Sequence, residues 1–229
     1  MKPEAFTAAR TETPERSVGR ALDAAATRAF DVVVSLLGLV VLGPLLIVVA
    51  LLVRLSSRGP VLFRQRRIGR SFKTFEIYKF RSMVQNAERV GRQITVGQDS
   101  RITRIGQLLR KTKIDELPQL MNVLKGDMSL VGPRPEVPRY VEMFREDYEE
   151  ILQVRPGITD MASVRFRNES EVLAESTDPE QAYVSEILPQ KIQLAKQYIG
   201  CRSLLFDILL IVQTIAAVLG IHRGVEKSY

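Results

Sequence analysis

The amino-acid sequence predicts an α/β, mostly helical domain held at a membrane by an N-terminal, Pro-broken re-entrant helix and by interfacial amphipathic helices. Three observations predict it. Residues 32–53 read "VVVSLLGLVVLGPLLIVVALLV" and carry no charge. The stretch "FKTFEIYKFRSM" alternates apolar and polar side chains with the two-residue period of a half-buried strand. Beyond residue 100 the apolar positions recur at helical spacing.

The bulk numbers narrow the chemistry. With 45% hydrophobic and 26% charged residues, the average is that of an ordinary globular protein, so the apolar run is a local feature. A net charge of +7 implies an anionic partner: phosphates, nucleic acid or an acidic membrane face. Cys201 is the only cysteine and His222 the only histidine, which rules out an intrachain disulfide and argues against a zinc site, a Ser-His-Asp triad or a Cys-His pair. A metal would have to be held by carboxylates and other oxygens, the ligand set of Mg²⁺.

Taken in order, residues 1–19 are polar, carry Pro3 and Pro14, and read as a loose, disordered tail. Residues 20–56 form the membrane segment. At roughly 1.5 Å per residue the apolar run reaches about 33 Å, enough for one straight span. Gly43 and Pro44 lie near its middle, however, and each half, at about 17 Å, is too short to cross alone. Arg20 and Arg28 precede the run, and Arg54, Arg58, Arg64, Arg66, Arg67 and Arg70 come after it. Basic flanks stay on the cytoplasmic side, so this distribution favours a helix that dips in and returns over a straight span. A cleaved signal peptide does not fit, because the leader is long, mixed in charge and followed by no small-residue cleavage site.

Residues 57–202 read as one domain. The segments 102–110 and 115–125 are helical, the second with Leu117, Leu120, Met121 and Leu124 on one apolar face and Lys125-Gly126 as a basic last turn and stop. Pro118 is tolerated only in a first turn, so that helix starts close to Asp115. Prolines make "SLVGPRPEVPRY" a rigid loop. Residues 139–153 and 179–199 are amphipathic helices. In 203–229, the segment "SLLFDILLIVQTIAAVLGI" is apolar except for Asp207, Gln213 and Thr214. It is either a second span or, as its helically spaced polar positions favour, a helix in the interface or packed on the core.

One motif stands apart. In "RKTKIDELPQL" the acids Asp115 and Glu116 come directly after Arg110, Lys111 and Lys113. An acidic residue at a helix start is commonly a cap, which accounts for one of the two carboxylates. The alternative uses the same physics further. A helix N-terminus with nearby cations lowers a carboxylate's pKa, and it also attracts phosphate. An ionised Asp115 facing a phosphate is placed to attack phosphorus and form an acyl phosphate, with Glu116 helping to hold Mg²⁺. Arg134, in the rigid "PRP" at 133–135, would clamp phosphate oxygens.

From about Phe30 to Asp207 the chain resembles the monotopic phosphoglycosyl transferases, the bacterial sugar transferases that start cell-surface glycan assembly. The strings that carry the resemblance are "FDVVVSLLGLVVLGPLL", "RGPVLFRQRRIG", "YKFRSM", "DSRITRIGQLLRKTKIDELPQLMNVLKGDMSLVGPRPE" and "VRPGIT". It implies transfer of a sugar phosphate from a nucleotide diphosphate sugar, expected to be a UDP-sugar, to polyprenol phosphate. Nucleoside monophosphate is released, the course is ping-pong, and Mg²⁺ is the cofactor. It casts Asp115 as the nucleophile and Glu116 as its partner at the metal. Arg110 and Arg134 match phosphate-binding positions, as do Lys79 and Arg81 less strongly, and Gly43-Pro44 takes the place of the break in the membrane helix. The expected setting is the cytoplasmic face of the bacterial inner membrane, with anionic lipid rather than nucleic acid against the basic surface. The tail length suggests the small, single-anchor form, acting in exopolysaccharide, capsule, O-antigen or glycoprotein glycan synthesis.

One departure is visible. After "RPGIT" many members continue with Gly and an Ala-Gln-Val run, whereas here the chain reads "DMASVRFRNESE", with Asp160 first. Two other functions are compatible with the residues themselves: a membrane-tethered nucleic-acid or lipid-binding module, and a phosphohydrolase using the same acid pair on water.

Overall fold

A computed structural model describes residues 14–85, 87, 94–97, 99–166, 169–218 and 220, with side chains from Asp23 onward. Helix α1 spans Pro14–Ser56 as a single element. It begins inside the stretch expected to be loose, with proline in the first turn, where its missing N–H costs nothing; residues 1–13 lie outside the described residues. Pro44 sits within the helix, not between two helices. A proline deletes one backbone bond and crowds the preceding turn, which weakens a helix without having to end it.

Two short sheets come next. Strands β1 (Leu62–Ile68) and β2 (Thr74–Phe80) form an antiparallel hairpin, with Leu62 opposite Phe80 and Ile68 opposite Thr74. Strands β3 (Ser129–Val131) and β4 (Gly157–Thr159) pair in parallel, Ser129 with Gly157 and Val131 with Thr159. Between the sheets lie helix α2 (Arg104–Lys111), a 3₁₀ segment (Ile114–Gln119) and helix α3 (Leu120–Lys125). Further helices cover Pro138–Met143, Arg145–Ile151, Met161–Arg165, Glu169–Ala174, Pro179–Ala182, Leu188–Cys201 and Leu204–Val218. The result is α/β and mostly helical, as predicted.

Three local expectations are corrected. Ser129–Val131 is a strand and Pro138 opens a helix, so only 132–137 of the expected loop is loop; Pro138 suits a first helical position. The buried face around residue 120 consists of Leu120, Asn122 and Val123, while Met121 is 40% exposed. The cause is the 3₁₀ turn, whose three-residue period shifts the phase of α3. The helix expected over 179–199 widens into a π turn at Tyr183–Ile187, just before Pro189, which has no N–H to donate.

The apolar interior has three parts. One packs Tyr140, Ile151, Leu173, Tyr183 and Leu188; a second packs Ile77, Val123, Met128, Val131, Tyr198 and Leu210; the third packs Val49, Val53, Phe80 and Leu109. Helix α1 belongs to two of them. Its Phe30 and Val34 join the second, and its Val49 and Val53 are buried in the third. Polar ties reinforce both ends. Arg28 donates to the carbonyls of Val123 (2.7 Å) and Leu124 (3.1 Å). Buried Asp31 accepts from Ser129 Oγ (2.8 Å) and Leu130 N (3.0 Å). Farther along, Arg81 donates to the carbonyls of Val53 (3.2 Å) and Ser57 (2.7 Å).

The outward face of the middle of α1 is bare: Val40 is 69% and Val41 73% exposed, and Leu36, Leu37, Ile47 and Val48 are exposed beside them, while Leu39 and Leu46 pack against the core. Residues Asp23–Ser56 are long and apolar enough to cross a membrane, the most apolar 18-residue stretch within them having mean hydropathy 3.1. The last helix, Leu204–Val218, is shorter. It buries Asp207 and Leu210, with Asp207 accepting from Tyr198 Oη at 2.7 Å, and leaves Leu205, Leu209, Val212 and Ile215 exposed. It therefore packs on the core along one side, one of the two arrangements that its polar spacing allows; residues 219 and 221–229 lie outside the described residues.

Candidate active site

The acid pair is placed by a sequence of local devices. Helix α2 is capped by Thr103, whose side chain accepts from Gly106 N at 2.9 Å. It ends on Arg110 and Lys111. Lys113 then adopts a left-handed conformation, φ 58°, unusual for a side-chain-bearing residue. That residue reverses the chain and starts the 3₁₀ turn, Glu116 N donating to Lys113 O at 3.1 Å. Strain of this kind persists where the surrounding structure holds it. Asp115 and Glu116 are both buried, at 6% and 8% exposure.

Asn122, fully buried in α3, locks this segment against β2. Its Oδ1 accepts from Tyr78 N at 3.0 Å and its Nδ2 donates to Glu76 O at 2.7 Å, the two bonds a neighbouring strand would make. Residue 79, next along β2, is thereby delivered to the acid pair. Lys79 Nζ donates to Glu116 Oε1 at 2.8 Å. Arg134 reaches the same carboxylate from the loop, with Nη2 2.6 Å from Oε1 and Nη1 3.4 Å from Oε2.

The loop itself is launched where two backbones touch. A Cβ on Gly157 would lie 2.1 Å from Gly132 N, so only glycine fits there. Beyond it, Pro133 O accepts from Gly157 N (3.0 Å) and Pro135 O from Arg67 Nη1 (3.2 Å). Glu136 accepts from Tyr183 Oη at 2.9 Å and pairs with Arg67 at 3.7 Å.

The two carboxylates are not equivalent. Burial works against ionisation of Glu116, but Arg134 and Lys79 outweigh it and hold the group well below the usual carboxylate range. Asp115 goes the other way. Burial pushes its pKa up, adjacent Glu116 adds to this, and Lys79, Arg110 and Lys113 only partly compensate. The lowered pKa expected at the nucleophile position is thus corrected: the nearest cations aim at Glu116. Asp115 Oδ1 is buried and has no hydrogen-bond donor, and Gln119 Nε2, four residues on, has no acceptor.

Of the expected phosphate-binding residues, the structure brings together Lys79 and Arg134 around Glu116, with Arg110 near enough to act on Asp115. Arg110 also donates to Thr95 Oγ1 at 2.9 Å. Arg81 is not in the group. It is 7% exposed, and its guanidinium is spent on Val53, Ser57 and Pro60, at the foot of α1. Gly43 and Pro44 lie in the bare middle of α1, where a Cβ on Gly43 would meet nothing within 4 Å. Among the described residues no cluster of three or more His, Cys, Asp or Glu could hold a metal. Residue-level reading missed Asn122, whose signal was a polar side chain between the apolar Met121 and Val123. It also missed Gln119 and the Arg67–Glu136–Tyr183 network, which carry no local signal.

An acceptor oxygen without a donor, beside cations that can be approached by phosphate, suits attack at phosphorus. Comparison with known proteins gives the family. The sequence profile of the bacterial sugar transferases matches residues 22–221. A UDP-N-acetylgalactosamine-undecaprenyl-phosphate N-acetylgalactosaminephosphotransferase of Aeromonas hydrophila is 40% identical over 197 residues, covering 84% of this chain and 43% of that protein. A UDP-glucose:undecaprenyl-phosphate glucose-1-phosphate transferase of Escherichia coli (strain K12) is 38% identical over 209 residues, covering 89% of this chain and 41% of the other. The chain thus spans less than half the length of these two relatives. The exopolysaccharide production protein ExoY of Sinorhizobium fredii is 34% identical over 206 residues, with 83% of this chain and 84% of that one covered. The chain belongs to the bacterial sugar transferases, the phosphoglycosyl transferase family.

Proposed function

We propose that this protein transfers a sugar phosphate from a nucleotide diphosphate sugar to polyprenol phosphate through a covalent phosphosugar on Asp115. The observation that carries the reading is the division of labour in the buried acid pair: Glu116 holds Lys79 and Arg134 in place, and Asp115 Oδ1 is left without a donor. An Asp115 carboxylate oxygen attacks the phosphorus that bears the sugar, and the bond from that phosphorus to the nucleoside phosphate breaks. Nucleoside monophosphate departs with the bonding pair. An oxygen of polyprenol phosphate then attacks the same phosphorus, freeing Asp115 and forming polyprenol diphosphate sugar. Lys79 and Arg134 can exchange part of their bonding to Glu116 for the phosphoryl oxygens, and Arg134 can do so with two parallel N–H groups.

The donor set also fits Mg²⁺, which usually takes one or two carboxylates and completes its shell with water and substrate phosphates. Asp115 Oδ1 supplies the open carboxylate oxygen, and Glu116, already engaged by two cations, is the second candidate. When bound, the ion neutralises phosphoryl oxygens and stabilises the leaving phosphate.

The site is set at the cytoplasmic face of the bacterial inner membrane, with α1 entering and leaving on one side. The support is that α1 is fastened to the same globular body on either side of its apolar middle, by Arg28 and Asp31 before it and by Val49 and Val53 after it, while the outward face of that middle is bare. A donor in solution and an acceptor phosphate at the headgroups can then meet at one plane, with anionic lipid against the basic flanks.

Incubation with Mg²⁺, undecaprenyl phosphate and the UDP-sugars named for the two relatives tests the activity. Polyprenol diphosphate sugar is expected; free sugar phosphate formed without lipid acceptor would instead mark a hydrolase. For the topology, Asp23→Cys and Ser57→Cys, each in a Cys201→Ser background, are expected to react with an impermeant label from the cytoplasmic side only. Labelling of either one from the opposite side contradicts the hairpin.

A further inference from the structure

Asp160, the residue that departs from the family pattern, has a place in this geometry. Its carboxylate is buried, at 7% exposure, between two elements. Oδ1 accepts from Ser163 N at 2.7 Å and from Ser163 Oγ, capping the helix Met161–Arg165. Oδ2 accepts from the backbone N–H of Arg134 at 3.3 Å. In the run Pro133-Arg134-Pro135 only Arg134 has an N–H, so this bond is the sole donor tie that the three-residue stretch can make through its backbone. The surrounding loop is held by Gly132 N, which donates to Thr159 O at 3.1 Å, and by the carbonyls of Pro133, Pro135 and Glu136, which accept from Gly157, Arg67 and Ile68. A small cavity lies behind the loop, lined in part by Pro133, Arg134, Glu136, Asp160 and Lys191.

We propose that Asp160 is a positioning residue for Arg134: by joining the Arg134 amide to the start of the Met161–Arg165 helix, it fixes the root of the side chain that meets Glu116 and the donor phosphate. Arg134 is long and flexible, and its two-pronged contact with Glu116 depends on where its backbone stands. A displacement of about 1 Å in a group that orients substrate costs on the order of 10²-fold in rate. The inference rests on the transferase reading for its effect on rate, but not for the tie itself.

The experiment therefore has two arms. In the first, amide hydrogen exchange is monitored in the peptide containing Arg134, in which residues 133 and 135 contribute no amide signal. Asp160→Ala is expected to speed exchange at Arg134, and Asp160→Asn, which retains an acceptor oxygen, to restore much of the protection; unchanged exchange in Asp160→Ala overturns the tie. In the second, release of nucleoside monophosphate from donor is measured in a single turnover. Asp160→Ala is expected to lose about 10- to 100-fold, Asp160→Asn much less, and Asp160→Ala to add little further loss in an Arg134→Lys background. Fully additive losses, or an equal loss in Asp160→Asn, would show that the residue serves folding alone. If wild-type protein releases no monophosphate at all, the transferase reading has failed while the first arm still decides the tie.

Discussion

Lys79 and Arg81 stand two residues apart at the end of one strand, and the fold assigns them opposite duties. Lys79 meets a carboxylate, Glu116, at 2.8 Å, beside the unpartnered Asp115 oxygen. Arg81 meets only uncharged oxygens, those of Val53, Ser57 and Pro60, and fastens the foot of α1. A buried cation's duty can thus be told from its partners. A cation paired with a carboxylate keeps donors that an incoming phosphate can share. One wrapped in carbonyls has its terminal nitrogens committed to the chain, and there its worth is stability.

Substitution separates the two cases. The largest effect is expected at the acid-pair end. Arg134→Lys keeps the charge and loses the two-pronged contact, which should reduce turnover by about 10²-fold with little change in melting temperature. A variant equally active would show that Arg134 only balances charge. Next comes Arg81→Ala, which strands buried carbonyl oxygens and should lower stability by about 2–3 kcal/mol in a denaturation experiment. The single-turnover rate of the folded fraction should remain. Loss of that rate at unchanged stability would place Arg81 back among the substrate ligands.

A smaller effect distinguishes the roles of the two acids. Burial and then Glu116 raise the Asp115 pKa, and in the proposed transfer Asp115 must be ionised to attack. The rate should therefore fall on acidification at a pH above that of an ordinary aspartate, about 3.9. Glu116 is held low and stays ionised through that window. Glu116→Gln removes the anionic neighbour and frees two cations, so the residual activity should show its acid limb at lower pH. An acid limb moved upward would mean that Asp115 is not the titrating group.

Much of this architecture is legible in the residues. The β2 alternation, the 115–125 helix with its Gly126 stop and the bare apolar run come from local periodicity and chain punctuation, which a single sequence carries openly. The illegible part is set by contacts across long separations. Nothing near Arg81 says that its partners lie at residues 53–60, and nothing near Glu116 says that Lys79 and Arg134 converge on it rather than on Asp115. The phase error at Met121 has a local cause: a left-handed Lys113 starts a 3₁₀ turn where helical spacing assumes an α turn. Asp160 marks the boundary between the two cases. Its place after "RPGIT" is visible in the string, but its bond to Arg134 exists only in the fold.

Covalent transfer through Asp115 is tested most simply by the mass of the intact protein after incubation with Mg²⁺ and a UDP-sugar in the absence of lipid acceptor. A gain of one phosphosugar is expected, mapped to the peptide holding Asp115 and matched by about one equivalent of monophosphate, with neither seen in Asp115→Asn. An unmodified protein that nevertheless hands sugar phosphate to polyprenol phosphate, or an Asp115→Asn variant that still gains the mass, would contradict it.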